Sequence, residues 1–315
     1  MKLLRSYGSL RLAGLAALLL VLAGSCSREA VVAKDAEPAG PPTVLAANYP
    51  LAYFAERIAG ELARVEFPGP PDEDPAFWAP DRATLRRFQK ADLLLLNGPD
   101  YSSWAGTLSL SLDRAVDTTA SFRDRQLQAE GGVGHVHGPE GEGGGQHHQL
   151  TTWLDPSLAI EQAGAIARAL ARIDARHRAT YEERLGQLVA DLEDLGERLQ
   201  RAAAAAAGQP LLASHPVYGY LARRLELDLR SVHFEPREHP DAEAWSELDR
   251  LLESHPAQVM IWEGAPLPET ERELRGRGLS SVVFDPCASS PGSTDWLAIQ
   301  RENASRLEEA CSSTH

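Results

Sequence analysis

The chain has 315 residues, 24% of them charged, and a formal net charge of −14. That length accommodates two ordinary domains with cores of their own. The acidic balance argues against nucleic acid or an anionic membrane surface as a partner and suits a cation ligand.

The N-terminus, MKLLRSYGSLRLAGLAALLLVLAGSC, sets Lys2, Arg5 and Arg11 ahead of an apolar run from Leu12 to Ala23. This is the pattern of a bacterial export signal over 1–26, too short and wrongly flanked for a permanent membrane span. Ala23-Gly24-Ser25 before Cys26 resembles a lipobox, which would make Cys26 the lipid-modified first residue. Its leucine, Leu22, stands four places before the cysteine rather than three, and Ala23-x-Ser25 also fits an ordinary signal-peptidase site. The lipidated form is the reading adopted. Loss of the leader removes three basic residues and no acidic one, taking −14 to about −17. Residues 27–42, SREAVVAKDAEPAGPP, read as a disordered tether.

From residue 43 onward, short β-branched or leucine-rich runs alternate with helical patterns. Strands are expected at 43–46, 64–67, 92–97 and 114–117, separated by helices near 51–62, 81–90 and 102–110. The scheme repeats with strands at 211–214, 229–233, 259–262 and 282–284 and helices near 217–225, 241–254 and 269–277. Such alternation predicts an α/β fold of two lobes, 43–175 and 208–315, each with a mainly parallel four-stranded sheet flanked by helices. Asp155-Pro156 can start a helix that breaks near Ala175. Over 176–207, Tyr181, Leu185, Leu188, Leu192, Leu195 and Leu199 recur at spacings of four and three. They share one face of a long rigid helix of about 45 Å, which Gly208-Gln209-Pro210 stops.

Residues 131–156 read GGVGHVHGPEGEGGGQHHQLTTWLDP. Four imidazoles, His135, His137, His147 and His148, fall within fourteen residues that lack apolar periodicity, so 131–149 is expected to be a mobile loop. Several imidazoles on such a loop can gather a transition metal without prior organisation.

Parallel α/β sheets bind ligands beyond the carboxyl ends of their strands. In the second lobe those ends read Ser214-His215, His233-Phe234-Glu235, Trp262-Glu263 and Phe284-Asp285. Singly, each is an ordinary hydrogen-bonded histidine or capping acid; together they predict a metal site of His215, Asp285, Glu263 and His233. Nitrogen mixed with carboxylate oxygen suits Zn2+, or Mn2+ if oxygen predominates. The first lobe offers Asn97, Asp117 and Asp72-Glu73-Asp74, and no histidine precedes His135 in the body. No G-x-S-x-G elbow, P-loop, G-x-G-x-x-G or HExxH occurs, so an enzyme is not expected. Cys287 and Cys311 are candidates for a disulfide tying a late strand to the C-terminal helix.

The segments VLAANYPLAYFAERIAG, DPAFWAPDRATLRRFQKADLLLLNG, TTWLDP, SHPVYGYLARR and VVFDP resemble the ZnuA-like (cluster A-I) zinc and manganese solute-binding proteins of ABC importers. The resemblance covers nearly everything after the tether. It implies two α/β lobes on a rigid helix, one divalent metal between them, little hinge closure, and a permease with its ATPase as partners of a monomeric receptor. A histidine-rich loop at this place is common in zinc-binding members. His215 occupies the second-lobe histidine position and Asp285 the carboxylate of the last strand. Two other histidine positions hold Ala76 and Thr151, neither of which can replace an imidazole at zinc.

Three readings remain open: loop imidazoles or Asp72–Asp74 complete a site anchored by His215 and Asp285; a wider cleft near Trp78 and Trp153 takes a metal chelate; or binding has been lost. The first is preferred, because four ligand-type residues at one sheet edge are poorly explained by loss. The expected function is an exported receptor, lipid-anchored through Cys26, that captures zinc for an ABC permease. The alternatives are a metal-storing or metal-delivering lipoprotein or adhesin without a transporter and, more weakly, a metal-dependent hydrolase using Glu263 as base.

Overall fold

The structure, a computed structural model, describes residues 40–71, 73–98, 100–108, 114–128, 148–292 and 294–313. The leader, Cys26, the tether up to residue 39, Asp72 and the tract imidazoles His135, His137 and His147 lie outside the described residues. No helix among the described residues is long and apolar enough to cross a membrane.

The first sheet has the order β2-β1-β3-β4 and is wholly parallel. Its strands are β1 (Thr43–Ala46), β2 (Arg64–Glu66), β3 (Leu93–Leu96) and β4 (Ala115–Asp117). The central strand β3 is four leucines, as suits a strand covered on both faces. Helix α1 (Tyr49–Ala59) starts where the Asn48 side chain accepts the Leu51 N–H at 3.1 Å, with Pro50 in its first turn. Helix α2 (Arg82–Lys90) is capped by Asp81, which accepts the Thr84 N–H at 2.7 Å. The helix expected over 102–110 is only a 3-10 turn, Ser103–Thr107, in the described residues. Gly106 and an N-cap serine whose side chain makes no capping bond leave that stretch little to extend it.

Helix α3 (Pro156–Ile173) is capped by Asp155 and ends at Asp174, whose carboxylate takes His177 at 2.6 Å and Tyr181 at 3.1 Å. After a 3-10 turn, α4 (Arg178–Ala205) runs 28 residues, about 42 Å at the standard rise. Tyr181, Leu188, Leu192, Leu195 and Leu199 are buried on one face, as the spacing predicts, while Leu185 of the same series is half-buried against the core. Gly208 then turns the chain with φ 77°, a conformation glycine adopts without steric cost.

The second sheet repeats the pattern as β6-β5-β7-β8, again parallel. It comprises β5 (Leu211–Ala213), β6 (Leu229–Ser231), β7 (Val259–Trp262) and β8 (Ser280–Val283). Helices α5 (Gly219–Leu225), α6 (Ala242–Ser254), α7 (Pro268–Gly276) and α8 (Trp296–Ser312) complete it. One apolar cluster runs from Leu45, Phe54 and Leu94 through Leu188 and Leu192 to Leu211, Ile261 and Trp296, so the lobes share a continuous core. A smaller cluster of Leu212, Phe234, Trp245, Met260, Trp262 and Leu274 fills the other face of the second sheet.

Cys287 and Cys311 are buried thiols that no disulfide joins, which corrects the expected bridge. The α8 side chains of Gln300 and Asn303 hold the Asp285 carbonyl at 3.0 and 2.7 Å. Cys311 lies eight residues beyond Asn303, about 12 Å further along the helix and out of bridging range.

Candidate metal site

The carboxyl ends of the two sheets face one another. Across that junction the Tyr49 N–H donates to the Ala288 carbonyl at 2.9 Å, and Trp153 Nε1 to the Pro286 carbonyl at 2.8 Å. Ser289 Oγ donates to the Glu73 carbonyl at 2.8 Å. The loops after β1, β2 and β8 are thereby stitched together around the place where a ligand would sit.

His215, two residues past β5, is nearly buried, and Nδ1 lies 3.1 Å from the Phe234 carbonyl, which can only accept. That bond orients the ring and would leave Nε2 as the ligand nitrogen once a metal displaces its proton. Nε2 is 3.1 Å from Glu235 Oε1. Glu263 Oε1 approaches the ring from the other side, 3.6 Å from Nδ1. The His233 ring stands edge-on to His215 with centroids 5.9 Å apart. Asp285 accepts the Cys287 N–H at 2.7 Å in a tight turn that puts Cys287 at φ 56°. Beneath them Tyr218 donates its hydroxyl to the Phe284 carbonyl at 2.8 Å.

The electrostatics are those of a crowded, partly buried acidic cluster. Burial, then the nearby carboxylates of Asp74, Glu235 and Asp285, push Glu263 up to about 8. Burial also raises Asp285, partly offset by the Cys287 N–H and Arg306. Asp74 is thus the first-lobe carboxylate that acts on Glu263 across the junction. It sits in the loop before α2, where it accepts the Ala76 N–H at 2.9 Å.

The two departures from the ligand pattern have structural occupations. Ala76 is partly buried against the shared core. Thr151 is buried and donates its hydroxyl to the Val217 carbonyl, so it clasps the second lobe two residues from His215. Of the four tract imidazoles only His148 falls in the described residues; it pairs through Nδ1 with Asp100 at 2.6 Å and bridges Gln128 in antiparallel fashion.

His215, His233, Glu263 and Asp285 therefore all lie at the carboxyl edge of the second sheet, as the strand ends predict. Among the described residues, however, no three His, Cys, Asp or Glu side chains converge closely enough to hold a metal ion. The geometry of His215 gives a reason: Glu235 and Glu263 address opposite ring nitrogens and so do not meet on one side of the imidazole. Glu235 was absent from the candidate ligands read from sequence. The period of two past β6, which sets residues 233 and 235 on one side of an extended chain, was the available signal.

Residues 44–310 match the family described as zinc-uptake complex component A, periplasmic (ZnuA). The chain is similar to the zinc-binding lipoprotein AdcA of Streptococcus pneumoniae, 24% identical over 316 residues covering 96% of this chain and 60% of AdcA. It thus spans about 60% of the length of that relative. It is also 24% identical to the high-affinity zinc uptake system protein ZnuA of Bacillus subtilis, over 84% of this chain and 80% of that protein. The crystal structure of Zn(II)-bound AdcA from Streptococcus pneumoniae superposes with a TM-score of 0.73 at 19% identity, covering 87% of this chain and 58% of that one.

Proposed function

We propose, for a chain that belongs to the ZnuA family of periplasmic zinc-uptake components, the role of a metal receptor that hands a divalent cation to an ABC permease and its ATPase. The cation is zinc, the ion named for AdcA and ZnuA. It is held at the second-lobe edge by His215 Nε2 with carboxylates of Asp285, Glu263 and Glu235. The remaining donors come from Asp74, His233 or the imidazoles at 135, 137, 147 and 148. A single observation carries this reading: an imidazole oriented by a backbone carbonyl stands among carboxylates, one of which, Glu263, burial and its acidic neighbours push up to about 8.

Capture makes and breaks no covalent bond, so the protein is a binder and not an enzyme. Binding displaces protons, because an imidazole must be neutral and Glu263 ionised to serve as ligands. The lobes at 43–175 and 208–315, with the helix at 176–207 between them, act as one rigid frame. The monomeric mature protein is exported and held at the membrane by lipid on Cys26. Isothermal titration with Zn2+ and native mass spectrometry test this. The parent is expected to take one ion, and the His215→Ala/Asp285→Ala variant none; an unchanged isotherm in the double variant would refute the site.

A further inference from the structure

The acidity of the chain as a whole hides a basic edge. At the amino ends of the first sheet, opposite the carboxyl ends that face the second lobe, Arg64 opens β2 and Arg114 precedes β4. Between them α2 ends at Lys90, with Arg86 one turn earlier on the same side of the helix, while Phe88 turns inward. All four basic residues are exposed. Adjacent strands are about 4.8 Å apart, so Arg64 and Arg114 are about 14 Å from each other.

Neighbouring acids are already engaged. Glu66 pairs with Arg87, and Glu61 with Arg184 at 3.1 Å. Asp92, the acid between β1 and β3 at this edge, accepts the Thr43 N–H at 2.8 Å. Among the described residues Arg64, Arg86, Lys90 and Arg114 have no ion-pair partner. A protein of net charge −14 thus presents one edge with a surplus of cations.

The same edge is where the polypeptide joins the folded body. Gly40, Pro41 and Pro42 lead into β1; the Arg64 N–H donates to the Pro42 carbonyl at 2.8 Å, and the Asp92 N–H to the Thr43 carbonyl at 2.9 Å. Thirteen residues separate Cys26 from Gly40. However they lie, they keep Gly40 within about 50 Å of Cys26.

We propose that this edge docks on anionic phospholipid headgroups, so that the mature protein rests with its metal site turned away from the membrane. The docking chemistry stands on the four cations; the resting posture also rests on the proposed lipid at Cys26. A membrane is favoured over an acidic protein because it is the acidic surface that an acylated Cys26 would hold next to this edge at high effective concentration. The contacts are exposed and electrostatic, hence weak and reversible in salt. Release from the headgroups frees the body to turn its cleft toward a permease.

The test uses the mature chain with Cys26→Ser, which cannot be acylated, and flotation with phosphatidylcholine vesicles that contain or lack about one-third phosphatidylglycerol. The parent is expected to bind the anionic vesicles at low salt and not the neutral ones. Arg64→Gln/Arg86→Gln/Lys90→Gln/Arg114→Gln should lower the bound fraction at least roughly tenfold. Equal binding to both vesicles, or equal binding by parent and variant, would overturn the proposal. Unchanged vesicle binding with impaired zinc uptake in cells would assign the edge to an acidic protein and overturn it equally. Zinc titration of both proteins separates this from the receptor reading, since a chain that floats with vesicles but takes no zinc removes only the latter. Mass analysis of the native protein reports lipid on Cys26 independently.

Discussion

The two lobes are built on one plan and equipped differently. Both sheets are parallel and four-stranded with the first strand placed second in the order, and both point their carboxyl ends at the junction. At those ends the first lobe places, besides Asp74 and an Asp117 paired with Arg123, neutral groups that satisfy each other. Asn97 accepts from Thr152 at 2.9 Å and from Gln162 at 2.8 Å, Gln162 also donates to Thr118 at 3.0 Å, and Asn97 donates to the Leu150 carbonyl at 2.7 Å. The second lobe places His215, His233, Glu235, Glu263 and Asp285, a crowd of carboxylates around imidazoles. A closed polar network stabilises a frame, whereas a crowded acidic cluster with an oriented imidazole is a place for a cation. In this division the first lobe is mainly scaffold and the second mainly ligand.

The sharpest break of that division is a pair of variants. His215→Ala should weaken zinc binding by on the order of a hundredfold or more, since it removes the nitrogen ligand. Asp74→Ala, on the first lobe, should cost less than about tenfold. Titration calorimetry against a competing chelator measures both, and equal losses would mean that the two lobes share the ion.

The scaffold side predicts the opposite profile. Asn97→Ala strips one partner each from Thr152, Gln162 and the Leu150 carbonyl in a buried site, leaving Gln162 with Thr118 and Thr152 with a longer bond to Gln162 at 3.3 Å. Such losses cost about 2–3 kcal/mol of stability, readable as a shifted urea midpoint, with zinc affinity unchanged once the protein is folded. Loss of affinity in the folded variant would bring the network into the site.

The acidic cluster also predicts a pH dependence of the metal-free protein. Glu263 titrates near 8 when folded against 4.5 when free, so between those values the folded state binds more protons than the unfolded. Its contribution is complete below about pH 4.5 and is lost as pH rises through 8. In a chelator, parent minus Glu263→Gln thermal midpoints should therefore fall over that window, and zinc should reverse the fall. A flat difference would mean that Glu263 is not under the stress of its neighbours.

Much of this was legible in sequence because it rests on local pattern. Eight short apolar runs gave the strands, and the alternating spacings of Tyr181, Leu185, Leu188, Leu192, Leu195 and Leu199 gave the face of α4 that is buried except at half-buried Leu185. The residues at the strand ends could be assigned to one edge because parallel sheets put them there. What pattern could not supply was orientation. Nothing in the order His233-Phe234-Glu235 says that the Phe234 carbonyl takes Nδ1 of His215 while Glu235 meets Nε2. The helix expected at 102–110 and the bridge between Cys287 and Cys311 failed for a related reason: a 3-10 turn and a two-turn offset along α8 are tertiary facts.

Thr151 gives the smallest and most discriminating effect. Its hydroxyl donates to the Val217 carbonyl, which joins the lobes at a position where the resemblance to the family implies an imidazole. Thr151→Val keeps the shape and removes the donor, costing about 1 kcal/mol for the lost bond plus the unsatisfied carbonyl. Zinc affinity should hardly change, because a threonine hydroxyl is no ligand for this ion. Thr151→His tests the converse. It sacrifices the same bond yet returns a nitrogen donor beside His215, so it should lower stability and raise affinity together. Affinity that rises in the histidine variant while the valine variant stays level would mean that the first lobe traded a ligand for a clasp. Affinity that falls in both would mean that the clasp itself positions His215, and the lobes would then be partners in binding rather than scaffold and ligand.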